Sequence, residues 1–387
     1  MEVDIAIVGG GLAGASLAVA LRKTRFRIAL LEVRTPAFTD QVDHRVYAVS
    51  PINQSFLEGL GVWQHMDALR LSPVHDMEVQ GDAGGVLRFS AHDAGLKELA
   101  WIIESSVMHR ELWETVRRQH NVSVLCPAQC TTLQVNEDSA QIELDNGRRL
   151  HARLVVGADG VNSWVREQVG ITAMTTPYDE QGVVANFECE LPHHGVAYQW
   201  FRPDGILALL PMMGRTVSMV WSADDALARE LVQLPPDELQ ERVTLASQGV
   251  LGNLRQLNCQ TGFPLRFMRV SQMVKPRVAL LGDAAHAIHP LSGHGINLGY
   301  QDARALAEVL SSLPEWADPG ALSGLRRYAR SRAEEPAVLQ YSTHGLQRLF
   351  GLDNAALAPV RNLGMNLLGR LPVLKHALVR YATSGHF

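Results

Sequence analysis

At 387 residues, with 47% hydrophobic and 19% charged residues, the chain is too long for one core and too apolar for disorder. A formal net charge of -5 and a pI of about 6.3 exclude the basic balance of a nucleic-acid-binding protein. Four scattered cysteines (Cys126, Cys130, Cys189 and Cys259) exclude a disulfide framework and a zinc-type cluster. The start Met1-Glu2-Val3-Asp4 is acidic where a signal peptide is basic, and no apolar run reaches ~18 residues. The expectation is a cytoplasmic protein, at most peripheral on the inner face of a membrane.

Residues 3–8 read as a strand, followed at once by Gly9-Gly10-Gly11-Leu12-Ala13-Gly14 and an Ala/Leu helix over 15–22. The spacing of Gly9, Gly11 and Gly14 fits a dinucleotide fingerprint: a tight turn, close pyrophosphate approach and close helix–strand packing. A second strand over 26–31 ends on Glu32, where a carboxylate suits an adenosine ribose hydroxyl. The bland alternative is a chance glycine turn. The strand before it, the helix after it and the acid in place weigh against that, but do not separate FAD from NAD.

Asp43-His44-Arg45-Val46-Tyr47-Ala48-Val49-Ser50 precedes a helix at 51–60, and by itself Arg45 reads as half of a surface ion pair. Residues 77–89, with a Gly84-Gly85 turn, read as a hairpin, and 107–119 as a helix. Residues 122–125, 131–135 and 140–144 read as a small antiparallel sheet. A strand over 152–156 leads into Gly157-Ala158-Asp159-Gly160, where Asp159 either touches a cofactor or holds the turn.

Residues 177–264 are rich in strands (182–189, 197–201, 206–211 and 217–221), forming an antiparallel sheet. Trp200, Phe201, Met212, Met213 and Trp221 are candidates to line a pocket beneath it, ordinary sheet core being the alternative.

The chain is organised around Val278-Ala279-Leu280-Leu281-Gly282-Asp283-Ala284-Ala285-His286. This is a buried strand and an acidic turn, followed by a loop with Pro290, Gly293 and Gly295 and a helix over 296–310. The helix start at Gly295, Ile296 and Asn297 offers unpaired N–H groups to a flat anionic ligand. His289 and His294 in the loop are candidate acid–base groups, although structural hydrogen bonding is the commoner role there. The remainder is helical in pattern, with breaks at Pro336, Pro359 and Pro372. Residues 345–387 set Arg348, Arg361, Arg370, Lys375 and Arg380 against Asp353, which suits a membrane surface, a partner or a cap on the first domain.

The stretch 282–299 resembles the second flavin-binding motif of the flavin-dependent aromatic hydroxylases related to para-hydroxybenzoate hydroxylase. Within them it is most similar to the ubiquinone-biosynthesis hydroxylases. The Asp43–Ser50 stretch, Asp159-Gly160, the Trp200–Pro211 region and the tail from Lys375 to Tyr381 carry the resemblance through the chain. Ser292, His294 and Ser105 depart from it, standing where the family has alanine, glutamine and asparagine.

The resemblance implies an α/β (α+β) fold. An FAD-binding Rossmann-like domain (1–76, 97–177 and 265–330) is interleaved with an antiparallel-sheet substrate domain (77–96 and 178–264), and 331–387 form a C-terminal helical region. It implies FAD as cofactor and O2 as co-substrate, with electrons from NAD(P)H or an external reductase, and oxygen transfer through a C4a-hydroperoxyflavin. It implies Gly9, Gly11, Gly14, Glu32, Arg45, Asp159, Asp283, Pro290, Gly293, Gly295, Ile296 and Asn297 as cofactor-binding residues. The implied activity is hydroxylation of a hydrophobic polyprenylated phenol or benzoquinol, in company with other ubiquinone-biosynthesis proteins. The alternatives are hydroxylation of a soluble aromatic, with Arg202 and Arg215 as candidate acid partners, and a non-catalytic flavoprotein-fold subunit.

Overall fold

A computed structural model describes residues 1–287 and 295–334, with Asn362 and Val379. Its first sheet grows from the strand Glu2–Val8, which pairs in parallel with Ile28–Leu31 on one side and Arg149–Gly157 on the other. Val278–Leu280 and Val122–Leu125 extend it, also in parallel, at opposite ends. The central strands are buried on both faces where they meet, as nearly continuous runs of Val, Ile, Leu and Ala over 5–8, 28–31, 154–156 and 278–280. Ile5, Ile7, Ile28, Leu30, Leu154 and Val156 face a core shared with the helices Leu12–Ala20, Ser105–Arg117 and Gly295–Ser311. Ala6, Val8, Ala29, Leu31 and Val155 face a second core, closed by the antiparallel strands Cys130–Val135 and Ala140–Leu144.

The strand Val122–Leu125 corrects one expectation. Sequence grouped it with the antiparallel strands that follow, whereas it closes the parallel sheet beside Ile28–Leu31. The helix Ser105–Arg117 that precedes it supplies the crossover a parallel pair requires.

A second, larger sheet runs Val86–Ser90, Asp76–Gln80, Val196–Arg202, Gly205–Pro211, Thr216–Asp224, Ala173–Cys189 and Thr261–Val270, ending on His286–Ala287. All neighbours are antiparallel except Asp76–Gln80 with Val196–Arg202. The hairpin read from 77–89 thus belongs to this sheet. The helices Asp225–Gln233 and Pro236–Ala246 cover one face, packing Ala228, Leu231, Leu239 and Val243 against it.

A short third sheet (Val46–Val49, Ala100–Glu104 and Ser72–Val74) joins the two, with Ile102 and Val74 packed on Ala197 and Met212. Among the described residues no helix is long and apolar enough to cross a membrane. Of the expected C-terminal helical region, only 331–334, Asn362 and Val379 lie within the described residues. Asn362 is buried against the hairpin, where its Oδ1 accepts the Gly85 N–H at 2.7 Å and its Nδ2 donates to Asp82 at 2.8 Å.

Candidate functional site

Three parallel strands end side by side, Val8 in register with Gly157 and Gly157 with Leu280. The loops beyond their carboxyl ends enclose the crevice in which open α/β sheets bind ligands. Their glycines are of two kinds. Some are required by close packing: a Cβ at Gly9 (φ +106°) would lie 2.3 Å from the Ala158 oxygen, and one at Gly14 would lie 2.0 Å from the Gly9 oxygen. Others have an open face: a Cβ at Gly11, Gly160 or Gly295 would meet no atom within 4 Å. Gly11 caps the helix Leu12–Ala20 in an extended conformation any residue adopts, and Gly295 opens the helix Gly295–Ser311. Close backbone joined to open glycine faces at two helix N-termini fits the pyrophosphate and ring of FAD.

Glu32 stands at the end of its strand, against the glycine loop. Its Oε2 accepts the Gly10 N–H at 2.8 Å and its Oε1 accepts the Arg34 N–H at 3.2 Å. The Gly10 carbonyl meets His109 Nε2 at 2.8 Å, so this nitrogen carries the proton and donates. Burial pushes the His109 pKa down, outweighing the opposing pulls of the Gly10 carbonyl and Glu32, and favours that neutral form. Its ring is set edge-on to Phe38 and Trp113. His109 escaped the sequence reading because it lies mid-helix, 99 residues from the loop it holds.

Asn297 ties the helix start to the Arg45 segment through bonds to Ala48, Ser50 and Asn53. Asp43 completes the attachment, accepting the Ser106 N–H at 3.2 Å and the Arg45 N–H at 2.9 Å. The Arg45 guanidinium is exposed and lies 5.5 Å from the Tyr47 ring centre. Asp283 follows Gly282 in a single helical turn. Asp283 is accessible at its surface yet walled by protein, as a group in a deep crevice must be, and this burial pushes its carboxyl above the usual range against the pull of His286 and Arg45. Tyr47 is raised for the same reason, with Arg45 opposing and Asp283 adding to the rise.

Asp159 holds its turn, its Oδ2 accepting the Val165 N–H at 3.0 Å at the head of the helix Trp164–Gln168. Its carboxyl is also raised by burial, against the hydrogen bonds it accepts. Pro290, Gly293, His289 and His294 lie outside the described residues.

Behind the crevice is a buried cluster the sequence reading missed. Asp302 Oδ2 accepts the Gly282 N–H at 2.9 Å and meets His286 Nε2 at 2.7 Å, while its Oδ1 accepts Arg332 Nε at 2.8 Å. Burial alone would raise the Asp302 carboxyl, but His286 and Arg332 outweigh it and hold the group below the usual range. One carboxylate thereby fixes the Gly282 turn to the helix Gly295–Ser311.

The second sheet turns its other face to the crevice, as Asn186 shows by donating from Nδ2 to the Asp43 carbonyl at 3.0 Å. Gln181, one position out of phase, reaches Asp225 on the helix side at 3.0 Å. Three cross-strand rows form the middle of the crevice face: Phe263–Gly182–Ser222–Ile206–Phe201, then Thr261–Val184–Val220–Ala208–Gln199, then Asn186–Ser218–Leu210, with Glu180 beside Asp224 at one end of the face and Glu188 beside Arg255 at the other. No residue in these rows is charged.

Phe201 lies on this face, and Met212 packs at its junction with the third sheet. Trp200 and Trp221 do not line it. They are buried on the opposite face, in the core under the helices Asp225–Gln233 and Pro236–Ala246. Met213, just beyond the strand Gly205–Pro211, is exposed. Arg202 also lies toward the helices, bonded to Asp204 at 2.7 and 3.0 Å and to the Ala246 carbonyl at 3.0 Å. Arg215 donates to the Glu190 carbonyl at 3.1 Å.

The strand-end crevice, its open glycines and its helix N-termini define a dinucleotide-binding α/β protein. The family model of the FAD binding domain matches residues 2–339, and the chain belongs to that family. It is 33% identical over 383 residues to the 3-demethoxyubiquinol 3-hydroxylase of Escherichia coli (strain K12), with 98% of each chain covered. It is 31% identical over 382 residues to the ubiquinone hydroxylase UbiL of Rhodospirillum rubrum, covering 98% of this chain and 89% of that one.

Among solved structures, p-nitrophenol 4-monooxygenase PnpA from Pseudomonas putida DLL-E4 superposes with a TM-score of 0.81 at 19% identity, covering 98% of this chain and 97% of that one. PqsL, a probable FAD-dependent monooxygenase from Pseudomonas aeruginosa, superposes with a TM-score of 0.78 at 23% identity, covering 94% of this chain and 100% of that one. These two share the fold. The expected fold class and the FAD cofactor accord with the comparisons.

Proposed function

We propose that the protein is an FAD-dependent monooxygenase that hydroxylates the aromatic ring of a polyprenylated phenol or benzoquinol in ubiquinone biosynthesis. The observation that carries this reading is the 33% identity, running end to end in both chains, to a hydroxylase of a demethoxyubiquinol. The three uncharged rows in the middle of the second sheet's crevice face support it, since a substrate acid held against them would lack a cation.

Segments 1–76, 97–177 and 265–330 bind FAD in this reading, and 77–96 with 178–264 roof the substrate. Gly9 and Gly14 shape the first loop, while Gly11 leaves room for the pyrophosphate at the helix N-terminus. Glu32 takes the ribose, and Arg45 and Asp159 border the phosphates. Asp283, Gly295, Ile296 and Asn297 border the flavin ring, with Pro290 and Gly293 in the same loop.

Bound FAD would supply the redox chemistry that activates O2, drawing electrons from NAD(P)H or an external reductase. The backbone N–H groups at the start of the helix Gly295–Ser311 stabilise negative charge on the ring, a role that needs no acid or base side chain. His289 and His294 are the acid–base candidates of this loop. Closure of the crevice by the second sheet limits the access of water. The protein works in the cytoplasm, peripheral on the membrane that holds the substrate, and the basic composition of 345–387 suits such a contact.

The test is conversion of a prenylated phenol by purified protein with FAD, a reductant and oxygen-18 gas. A product carrying one labelled oxygen is expected. Absence of conversion, with a soluble aromatic hydroxylated instead, moves the assignment to the soluble substrate. Inertness toward both leaves a non-catalytic subunit.

A further inference from the structure

A cavity of about 390 Å3 lies against the Asp302 cluster. His286 and Arg332, the two side chains that hold Asp302, line it, whereas Asp283 does not. The rest of its wall comes from the end of the strand Thr261–Val270, the turn through Met273 into the strand Val274–Lys275, and the helix Leu322–Ser331. A volume of this order is enough for a small molecule, whose pockets begin near ~300 Å3.

The wall is charged in one sense. Arg269, Lys275, Arg326 and Arg332 stand in it, and none of its lining residues is a carboxylate. Asp302 lies behind the wall, already held by Arg332 and His286. Glu334, two residues past Arg332, is exposed and does not line the cavity. Lys275 donates to the Val169 and Gly170 carbonyls, which anchor its ammonium without neutralising it. Burial grades from Arg332, which is buried, through Arg269 and Lys275, which are half-buried, to Arg326, which is exposed. Cations gathered around one space repel each other, and an anion set between them removes that cost. Guanidinium forks match the oxygens of a phosphate, and several cations together favour a group of more than one negative charge.

We propose that this cavity is a binding site for a phosphate or diphosphate group, separate from the flavin crevice. Arg332 forms its inner wall, fixed by Asp302 and by the Gln301 side chain at 3.3 Å, and Arg326 stands at its mouth.

The test is calorimetry on the flavin-loaded protein, whose crevice is filled, with inorganic phosphate and with pyrophosphate. A parallel arm measures sedimentation with vesicles of neutral lipid, with and without phosphatidic acid, and so asks whether the phosphate belongs to a lipid headgroup. Saturable binding in either arm is expected, weakened more than about tenfold in Arg326→Glu and in Lys275→Gln by loss of a charged hydrogen bond. Arg330→Glu makes the same charge change on the same helix outside the cavity, and it retains wild-type binding. An absorbance spectrum of bound flavin establishes that each variant is folded. Binding by the wild type in neither arm overturns the site. So does binding that Arg326→Glu and Lys275→Gln leave unchanged, or that Arg330→Glu weakens as much as they do.

Discussion

Asn297 Nδ2 donates to the Ala48 carbonyl at 2.7 Å, while Asn297 Oδ1 accepts the Ser50 N–H and Asn53 Nδ2 at 2.9 Å each. One buried amide thus joins the start of the helix Gly295–Ser311 to the segment carrying Arg45 and Tyr47. Asn297→Ala leaves these buried groups without this partner, and each orphaned group costs about 1–3 kcal/mol. Chemical denaturation of the flavin-free protein is expected to show that loss, and flavin titration a weaker affinity. Unchanged stability would mean that the two segments are held together by other contacts.

Asp302 and Asp283 are nearby carboxylates with opposite pH signatures. The Asp302 pKa is lowered on folding, so its contribution is full above the unfolded value near ~3.9 and is lost as pH falls through the folded value. Asp302→Asn takes the carboxylate away from the buried Arg332 and His286 and is expected to cost about 3–5 kcal/mol at pH 7. Denaturation at pH 7 and at successively lower pH should show the gap between variant and wild type narrowing only in strong acid.

For Asp283 the sign reverses. Its folded pKa is raised, so the stability it contributes is present below the unfolded value and is lost as pH rises through the folded one. Asp283→Asn is therefore expected to make the flavin-free protein more stable than wild type at pH 7, with the difference vanishing in acid. A variant less stable than wild type at pH 7 contradicts the desolvated placement of this carboxylate at the crevice floor.

The two kinds of glycine separate folding from binding. Gly11→Val places its side chain in the open space of the crevice and is expected to leave stability within about 0.5 kcal/mol of wild type. Flavin affinity should fall more than about tenfold as that space fills. Gly14→Ala drives a methyl into the Gly9 carbonyl and is expected to destabilise the loop itself. Equal flavin affinity in Gly11→Val and wild type would move the pyrophosphate elsewhere.

His109→Phe keeps the ring between Phe38 and Trp113 but removes the donor to Gly10. Weaker flavin binding without gross unfolding is the expected result, read by flavin fluorescence and circular dichroism. Wild-type affinity would make His109 only a filler of that core.

The sequence carried what is local. Gly9, Gly11, Gly14 and Glu32 fall within one strand–turn–helix–strand unit, so spacing alone brings them together. Long-range pairing was not legible: Asp302 joins Gly282, His286 and Arg332 across 16–30 residues, and His109 meets Gly10 across 99. Sheet facing was half legible. Alternation places Trp200 and Phe201 on opposite faces, but only packing decides that the helices Asp225–Gln233 and Pro236–Ala246 cover the tryptophan side. The short stretch Val122–Leu125 likewise does not tell whether it pairs in parallel or antiparallel, since an edge strand of either kind can carry it.

The most direct test of the central claim is the quinone profile of a host strain from which the gene is deleted, in a background without a redundant paralogue, with and without a plasmid copy. Accumulation of an under-hydroxylated prenylated precursor, reversed by the plasmid, is the expected result, and the structure of the precursor names the ring carbon. An unchanged ubiquinone pool would contradict the account and leave a flavoprotein whose substrate is a different aromatic.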